Sequence, residues 1–426
     1  MTTGGRAVGW RLGVASRPRG FPVTAAAALL DSAVGWRQGV VSRLQRTPVG
    51  KSDVDVIGYA AVPEPGTTGG TSGGVGLGEE AARLAAIAEA LERHAATRCQ
   101  LTPAPAELPR WALDDFTLHS RAQRAAADFP YPGYRDPAYT AAWTLPDNEP
   151  VAVPTGLVGL NPRHGLPATS SGLAAAPSGP AALLRAVQEL VERDALTVSW
   201  LHSLPGRPVA LPTELAGRVQ RLGGTVTAFD LTPAYSPHPV AAVAGTLPVN
   251  GAPRPTLGLA CRASWSDAVT KAWLEWCQGT VFVGVMLATG ATALAAHEVT
   301  DFDRHARYYA AHPDEWARLP LFAAAGSGPA PPDSPAAGSG GELAELVTAL
   351  RAADVRLAYR DLTTPELTAV GLSAVRVLSP DLTPLHADHR WPHLGGSTAD
   401  LTSRYPGART SRPGGGFPSA HPHPLG

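Results

Sequence analysis

Two short cassettes hold the residues best placed to do chemistry. Glu89, Glu92 and Arg93 lie in AIAEALERHAA, and Glu189, Glu192 and Arg193 lie in AVQELVERDAL. Each reads E-x-x-E-R within a run of Ala, Leu and Val. Residues three and four apart share a helix face, so each cassette presents two carboxylates beside a guanidinium. One such group is an ordinary surface pair worth about 0.3–0.5 kcal/mol. Two in similar apolar settings could set four carboxylates from two helices around Mg²⁺, which takes carboxylate oxygens, water and substrate phosphate. Arg93 and Arg193 could neutralise phosphate or hold the carboxylates in place. Lys271, Glu275 and Gln278 follow at spacings of four and three in DAVTKAWLEWCQ. They share one face of a third predicted helix, as a further wall of the same site or as a salt bridge and a surface amide.

Other chemistries find no support. No G-x-x-x-x-G-K-[ST] occurs, since GVGLGEEAA lacks the lysine, and no G-x-S-x-G occurs. Cys99, Cys261 and Cys277 have neither C-x-x-C spacing nor a His partner at metal-ligand distance. That argues against a zinc site or a disulfide framework and fits a reducing, cytoplasmic setting. His386, His389, His393, His421 and His423 crowd the end of the chain without fixed spacing and read as solvated loop residues.

The elements around the cassettes follow from periodicity. Each cassette helix is preceded by a Gly/Ser-rich loop, PEPGTTGGTSGGVGLG and ATSSGLAAAPSG. Such loops bring backbone N–H groups to phosphate at a helix N-terminus, which points to Gly76 and Gly78. The first cassette helix is predicted over residues 79–97, with Leu84, Ile87, Ala88 and Leu91 as its apolar stripe, and the second over 180–201. Further helices are expected near 24–36, 212–223, from Ser264 or Ser266 onward, and in ELAELVTALRAADV. Strands are expected in VDVIGYAAV, VAVP, TVTAFDL, PVAAVAGTL, RLAYRDL and AVRVLS, an α/β pattern of mixed sheets flanked by helices. Asp230 in AFDLT and Asp361 in YRDLT end two such strands, where turn chemistry explains them better than catalysis. Residues 1–20 show no periodicity, and residues 325–341 are a low-complexity linker.

With 426 residues and a hydrophobic fraction of 44%, the chain can bury a large core. A formal charge of −1 gives no reason to expect nucleic acid or a membrane surface as partner. Basic side chains are almost all Arg; Lys51 and Lys271 are the only lysines. No signal-peptide core is present. The longest apolar run, VFVGVMLATGATALAA, is too short to span a bilayer and reads as buried core.

Taken together, GLGEEAARLAAIAEALERHAA, TSSGLAAAPSGPAALLRAVQELVERDALTVSWL, DAVTKAWLEWCQ and VRLAYRDLTTPELTAVGLSAVRVLSPDLTPLH resemble, in order, the segments of YcaO-domain proteins. The resemblance implies one YcaO domain over residues 21–405 and an extended tail over 406–426. It implies ATP and Mg²⁺ bound without a P-loop, and activation of a backbone amide oxygen of a ribosomally made precursor peptide by phosphorylation. Glu89, Glu92, Glu189 and Glu192 would hold Mg²⁺ and the phosphates. Arg93, Arg193, Lys271, Glu275 and Gln278 would line the nucleotide site.

The tail marks the branch. Azoline-forming members of the family end in P-x-P-x-P, and this sequence ends Pro422-His423-Pro424-Leu425-Gly426. The likeness implies a cyclodehydratase that makes thiazolines or oxazolines from Cys, Ser or Thr. Pro422, Pro424 and the terminal carboxylate of Gly426 would then help position a proton acceptor. It also implies an E1-like or ThiF-like leader-binding partner and suits a homodimer. Three departures stand out: Ala85 replaces a serine, Pro177 an asparagine and Ala181 a glutamate. They leave open a scaffold that binds peptide or partner without turnover, and the incomplete tail match leaves open a thioamide- or amidine-forming relative.

Overall fold

The computed structural model describes residues 28–35, 39–48, 50, 53–63, 70–167, 169–249, 252–288, 294–324, 326–331, 333, 338–408 and 417–425. The loosely ordered N-terminus expected over residues 1–20 lies outside them, as do Lys51 and Gly426. Of the helix expected near 24–36, residues 28–31 are described and helical.

Among the described residues, three antiparallel sheets build the fold. β1 (Val41–Arg46), β2 (Ile57–Pro63) and β3 (Ser72–Gly76) pair in chain order. α1 (Glu79–Arg98) then folds back over β3 and β2. Ile87 and Leu91 on its apolar stripe are fully buried. The approach is close enough to require glycine: a Cβ on Gly74 would come within 2.2 Å of the Ala86 backbone nitrogen.

β4 (Tyr139–Leu145), β5 (Pro150–Pro154) and β6 (Leu173–Ala176) lead to α2 (Gly179–Leu201). β7 (Arg207–Val209), α3 (Thr213–Gln220), β8 (Thr225–Asp230), β9 (Val240–Val249) and β10 (Ala252–Cys261) follow. Next come α4 (Trp265–Ala288), α5 (Phe302–Ala311), α6 (Gly338–Ala352), β11 (Leu357–Asp361) and β12 (Ser373–Leu378). The second sheet runs β10-β9-β8-β7 and the third β5-β4-β11-β12-β6. α2 is apolar almost all round, as a helix between layers must be. It is wedged among β12, β6 and α6, with Leu183, Val187, Val191 and Leu196 at zero exposure. α4 packs on β10 and β9 and reaches β3 of the first sheet.

Sequence patterning locates the cassette helices to within a residue and Ser264 as the cap of α4, where its Oγ accepts the Asp267 N–H at 3.1 Å. Asp230 and Asp361 close matching turns, accepting the N–H of Thr232 at 2.9 Å and of Thr363 at 2.8 Å. Three expectations need correction. β10 carries Pro253 and Pro255, which cannot donate to a ladder, and so did not read as a strand. It is an edge strand, where proline is tolerated. The apolar run is not buried throughout: its first part extends α4, and there Phe282 and Val285 are 40% and 54% exposed. Only Val283 turns fully inward on that last stretch of the helix. At Asp333 the low-complexity segment does make a contact, since its Oδ1 accepts the Trp265 N–H at 2.6 Å and so caps α4.

Candidate functional site

The cassettes converge. On α1, Arg93 lies 3.5 Å from the Glu89 carboxylate. On α2, Arg193 lies 3.5 Å from Glu189 and 3.4 Å from Glu192. Glu192 is buried, and its Oε2 accepts the backbone N–H of Cys261 at the end of β10, at 3.1 Å. On α4, Lys271 pairs with Glu275 at 3.2 Å. Gln278 packs over β3: a Cβ on Gly73 would sit 2.5 Å from its Nε2. Three helices packed on three different sheets thus meet at one place.

The electrostatics show how tightly they meet. Burial pushes the Glu92 carboxyl up to about 8; Glu189 and Glu89 add to this, while Arg93 and Arg376 oppose it. Burial also raises Glu189, with Glu275 adding and Arg193, Arg93 and Arg376 opposing. Glu192 is raised to about 8 by burial, with Glu275 and Glu189 adding and Arg193 and Arg262 opposing. Each carboxyl feels charges carried by other elements, so the cluster is one electrostatic unit. Burial is the main cause in each case, and the neighbouring carboxylates add to it against the arginines.

Two residues that sequence reasoning passed over complete the cluster. Arg376 on β12 is 3% exposed and locked by backbone oxygens, donating from Nε to Leu157 at 2.9 Å and from Nη1 to Thr169 at 2.8 Å. It is a fixed cation acting on Glu189 and Glu92. Asp194 directly follows the second cassette and is fully buried. It accepts from Arg404 Nε at 2.8 Å, Tyr235 Oη at 2.7 Å and the Thr383 N–H at 2.7 Å. This network pins the cassette end of α2 to the chain after β12. An Asp adjoining E-x-x-E-R was the available signal.

Gly76 and Gly78 do not join the cluster. Gly78 caps α1 at its start, eleven residues before Glu89 or roughly 16 Å along the helix. At the corresponding start of α2, Ser178 Oγ accepts the Ala181 N–H at 3.3 Å, and Pro177 and Ala181 bring no polar side chain there.

The donor set fits Mg²⁺ and phosphate. Among the described residues no three His, Cys, Asp or Glu side chains close on one point, because the glutamates are turned toward their arginines. Mg²⁺ needs only one or two protein carboxylates beside water and phosphate oxygens. Buried carboxyls raised above their usual range are suited to receive a cation, and Arg93, Arg193 and Arg376 to receive the anion.

The tail runs down α2 toward this cluster. The Ser419 N–H donates to Leu201 O at 2.8 Å, and Trp200 Nε1–H to His421 O at 2.8 Å. Two turns further on, the Arg193 charge acts on His423. Pro422, His423, Pro424 and Leu425 are buried, and Leu425 joins the core around α2. Residues 417–425 are not helical. The histidines correct the sequence reading: His386, His393 and His423 are buried, not solvated. Burial pushes all three below the usual imidazole range, His393 to about 4.

A family model described as YcaO cyclodehydratase, ATP- and Mg²⁺-binding, matches residues 73–383. The chain belongs to the YcaO family. Solved YcaO structures share the fold. A heterocyclase in complex with substrate and cofactor superposes with a TM-score of 0.71 at 19% identity, over 94% of this chain and 59% of that one. The present chain therefore spans little more than half of that relative's length. The YcaO protein of Methanopyrus kandleri, bound with AMPPCP and Mg²⁺, gives 0.61 at 18% identity over 89% and 91% of the two chains. The E. coli microcin synthetase McbBCD complex gives 0.60 at 14% identity over 87% and 96%. No curated protein matches the sequence. Among the described residues no helix is long and apolar enough to cross a membrane.

Proposed function

We propose that this YcaO protein is an ATP- and Mg²⁺-dependent cyclodehydratase that forms azolines in a ribosomally made precursor peptide, with residues 21–405 as its catalytic unit. The observation that carries the proposal is the course of the tail. A Pro-His-Pro segment that descends α2 toward the carboxylate-arginine cluster supports a tail that reaches the nucleotide site. Glu89, Glu92, Glu189 and Glu192 hold the metal and Arg93, Arg193, Lys271, Glu275 and Gln278 the nucleotide. Arg376 stands between the cassettes as a preset cation. Mg²⁺-ATP supplies the phosphoryl group that turns a peptide amide oxygen into a leaving group. The arginines offset the charge that grows during that transfer. Pro422 and Pro424 stiffen the tail beside the second cassette, where the attacking Cys, Ser or Thr gives up its proton. An E1-like partner delivers the peptide, a reading supported by the likeness to the microcin synthetase complex.

Ala181 and Pro177 favour a second reading, a scaffold that binds peptide without turnover, because they remove polar groups from the start of α2. One experiment separates the two. Purified protein with Mg²⁺-ATP, its partner and a Cys/Ser/Thr-rich peptide is assayed for ADP release and product mass. The proposal requires ADP and loss of one water per ring, both absent in Glu89→Gln. A wild-type protein that binds peptide yet releases no ADP establishes the scaffold instead.

A further inference from the structure

Besides Leu425 in the core and the stacked His423 ring, the tail is held by its backbone carbonyls. Four successive ones are accounted for. Ala420 O lies 3.1 Å from His389 Nε2, and His421 O accepts from Trp200. Pro422 O accepts from Tyr309 Oη at 2.5 Å, and His423 O lies 2.7 Å from His305 Nδ1. Tyr309 and His305 are four apart and share a face of α5.

His305 makes the fullest contact with the tail. Its ring lies flat on the His423 ring, centroids 3.7 Å apart and planes within 5°. The ring is fully buried, and its other nitrogen, Nε2, is 3.0 Å from Ala387 O. Two carbonyl oxygens therefore face one imidazole. A neutral ring has a single N–H, and burial keeps this ring neutral by pushing it down to about 4. The shorter contact assigns that N–H to Nδ1, and so to the tail. His423 in turn has its Nε2 2.7 Å from His386 O, which fixes its own tautomer. His305 thus grips His423 by backbone and by ring together.

We infer that His305 is the positioning residue of the tail, fixing His423 and the residues beside it against the second cassette. Its consequence for catalysis rests on the proposed cyclodehydratase reading; the docking does not. The geometry gives a donor-specific test. In His305→Asn the side-chain amide reaches the Nδ1 position, in His305→Gln it reaches the Nε2 position, and His305→Phe keeps a ring without a donor. Hydrogen exchange at the Ser419 amide, followed by mass spectrometry in the full chain, reports docking. Circular-dichroism melts on the same samples confirm the fold. His305→Asn is expected to protect Ser419 as the wild type does, while His305→Gln and His305→Phe exchange roughly tenfold faster, the loss of one buried hydrogen bond. If the phenylalanine variant does not fold, the Asn/Gln pair decides alone. Equal exchange in the Asn and Gln variants overturns the assignment. No nucleotide enters the assay, so that outcome leaves the proposed activity standing, and failure of Mg²⁺-ATP to bind leaves the tail result standing.

Discussion

Replacing Glu192 by Gln should make the ligand-free protein more stable while removing its grip on Mg²⁺-nucleotide. Glu192 is buried beside Glu189 and Glu275, and its carboxyl is raised from 4.5 to about 8. A shift of that size corresponds to at most about 5 kcal/mol between the protonation states. Relaxation around Arg193 reduces this to a gain of about 1–3 kcal/mol. Gln keeps an oxygen for the Cys261 N–H, so no hydrogen bond is lost. The sign follows from linkage: a raised carboxyl keeps its proton in the folded state, so ionising it costs stability as pH rises from 4.5 toward 8. The advantage of Glu192→Gln is therefore full above pH 8 and vanishes as pH falls to 4.5. Urea unfolding of both proteins across that range measures it, with a Tm at pH 8.5 raised by a few degrees. The reasoning is refuted if the variant is less stable than wild type at pH 8.5, or if its advantage does not depend on pH.

Two further substitutions follow from the supporting residues. Asp194→Asn leaves Arg404, 3% exposed, without its counter-charge and should cost about 3–5 kcal/mol in denaturant unfolding. Arg376→Gln frees the carbonyls of Leu157 and Thr169 and should cost about 1–3 kcal/mol. It also removes a cation from between Glu92 and Glu189 and should weaken Mg²⁺-ATP binding at least about tenfold in calorimetry, a difference of about 1.4 kcal/mol.

Much of the site was legible because its chemistry is written on helices. E-x-x-E-R fixes which side chains share a face, and three amphipathic segments with such faces already suggest a common pocket. What escaped depends on contacts distant in sequence. Arg376 sits in AVRVLS, where a strand alternates and either face can be buried; only the carbonyls of Leu157 and Thr169 show that it points inward. The tail histidines read as solvated because nothing local buries them. His423 is covered by His305 and His386, 118 and 37 residues away. β10 escaped because its prolines argue against a strand until its edge position is known. The second half of α4 misled in the opposite sense, since its apolar residues are as hydrophobic as core yet Phe282 and Val285 face outward.

The central claim is that the two cassettes form one site for Mg²⁺-nucleotide. Isothermal titration of Mg²⁺-ATP into the protein at pH 7.5, in two buffers of different ionisation enthalpy, tests it most directly. Glu92 and Glu192, both raised to about 8, give up protons when a cation arrives. The account predicts binding with net proton release, visible as a buffer-dependent heat and lost in both Glu92→Gln and Glu189→Gln. No binding, or binding that survives both substitutions, would contradict it.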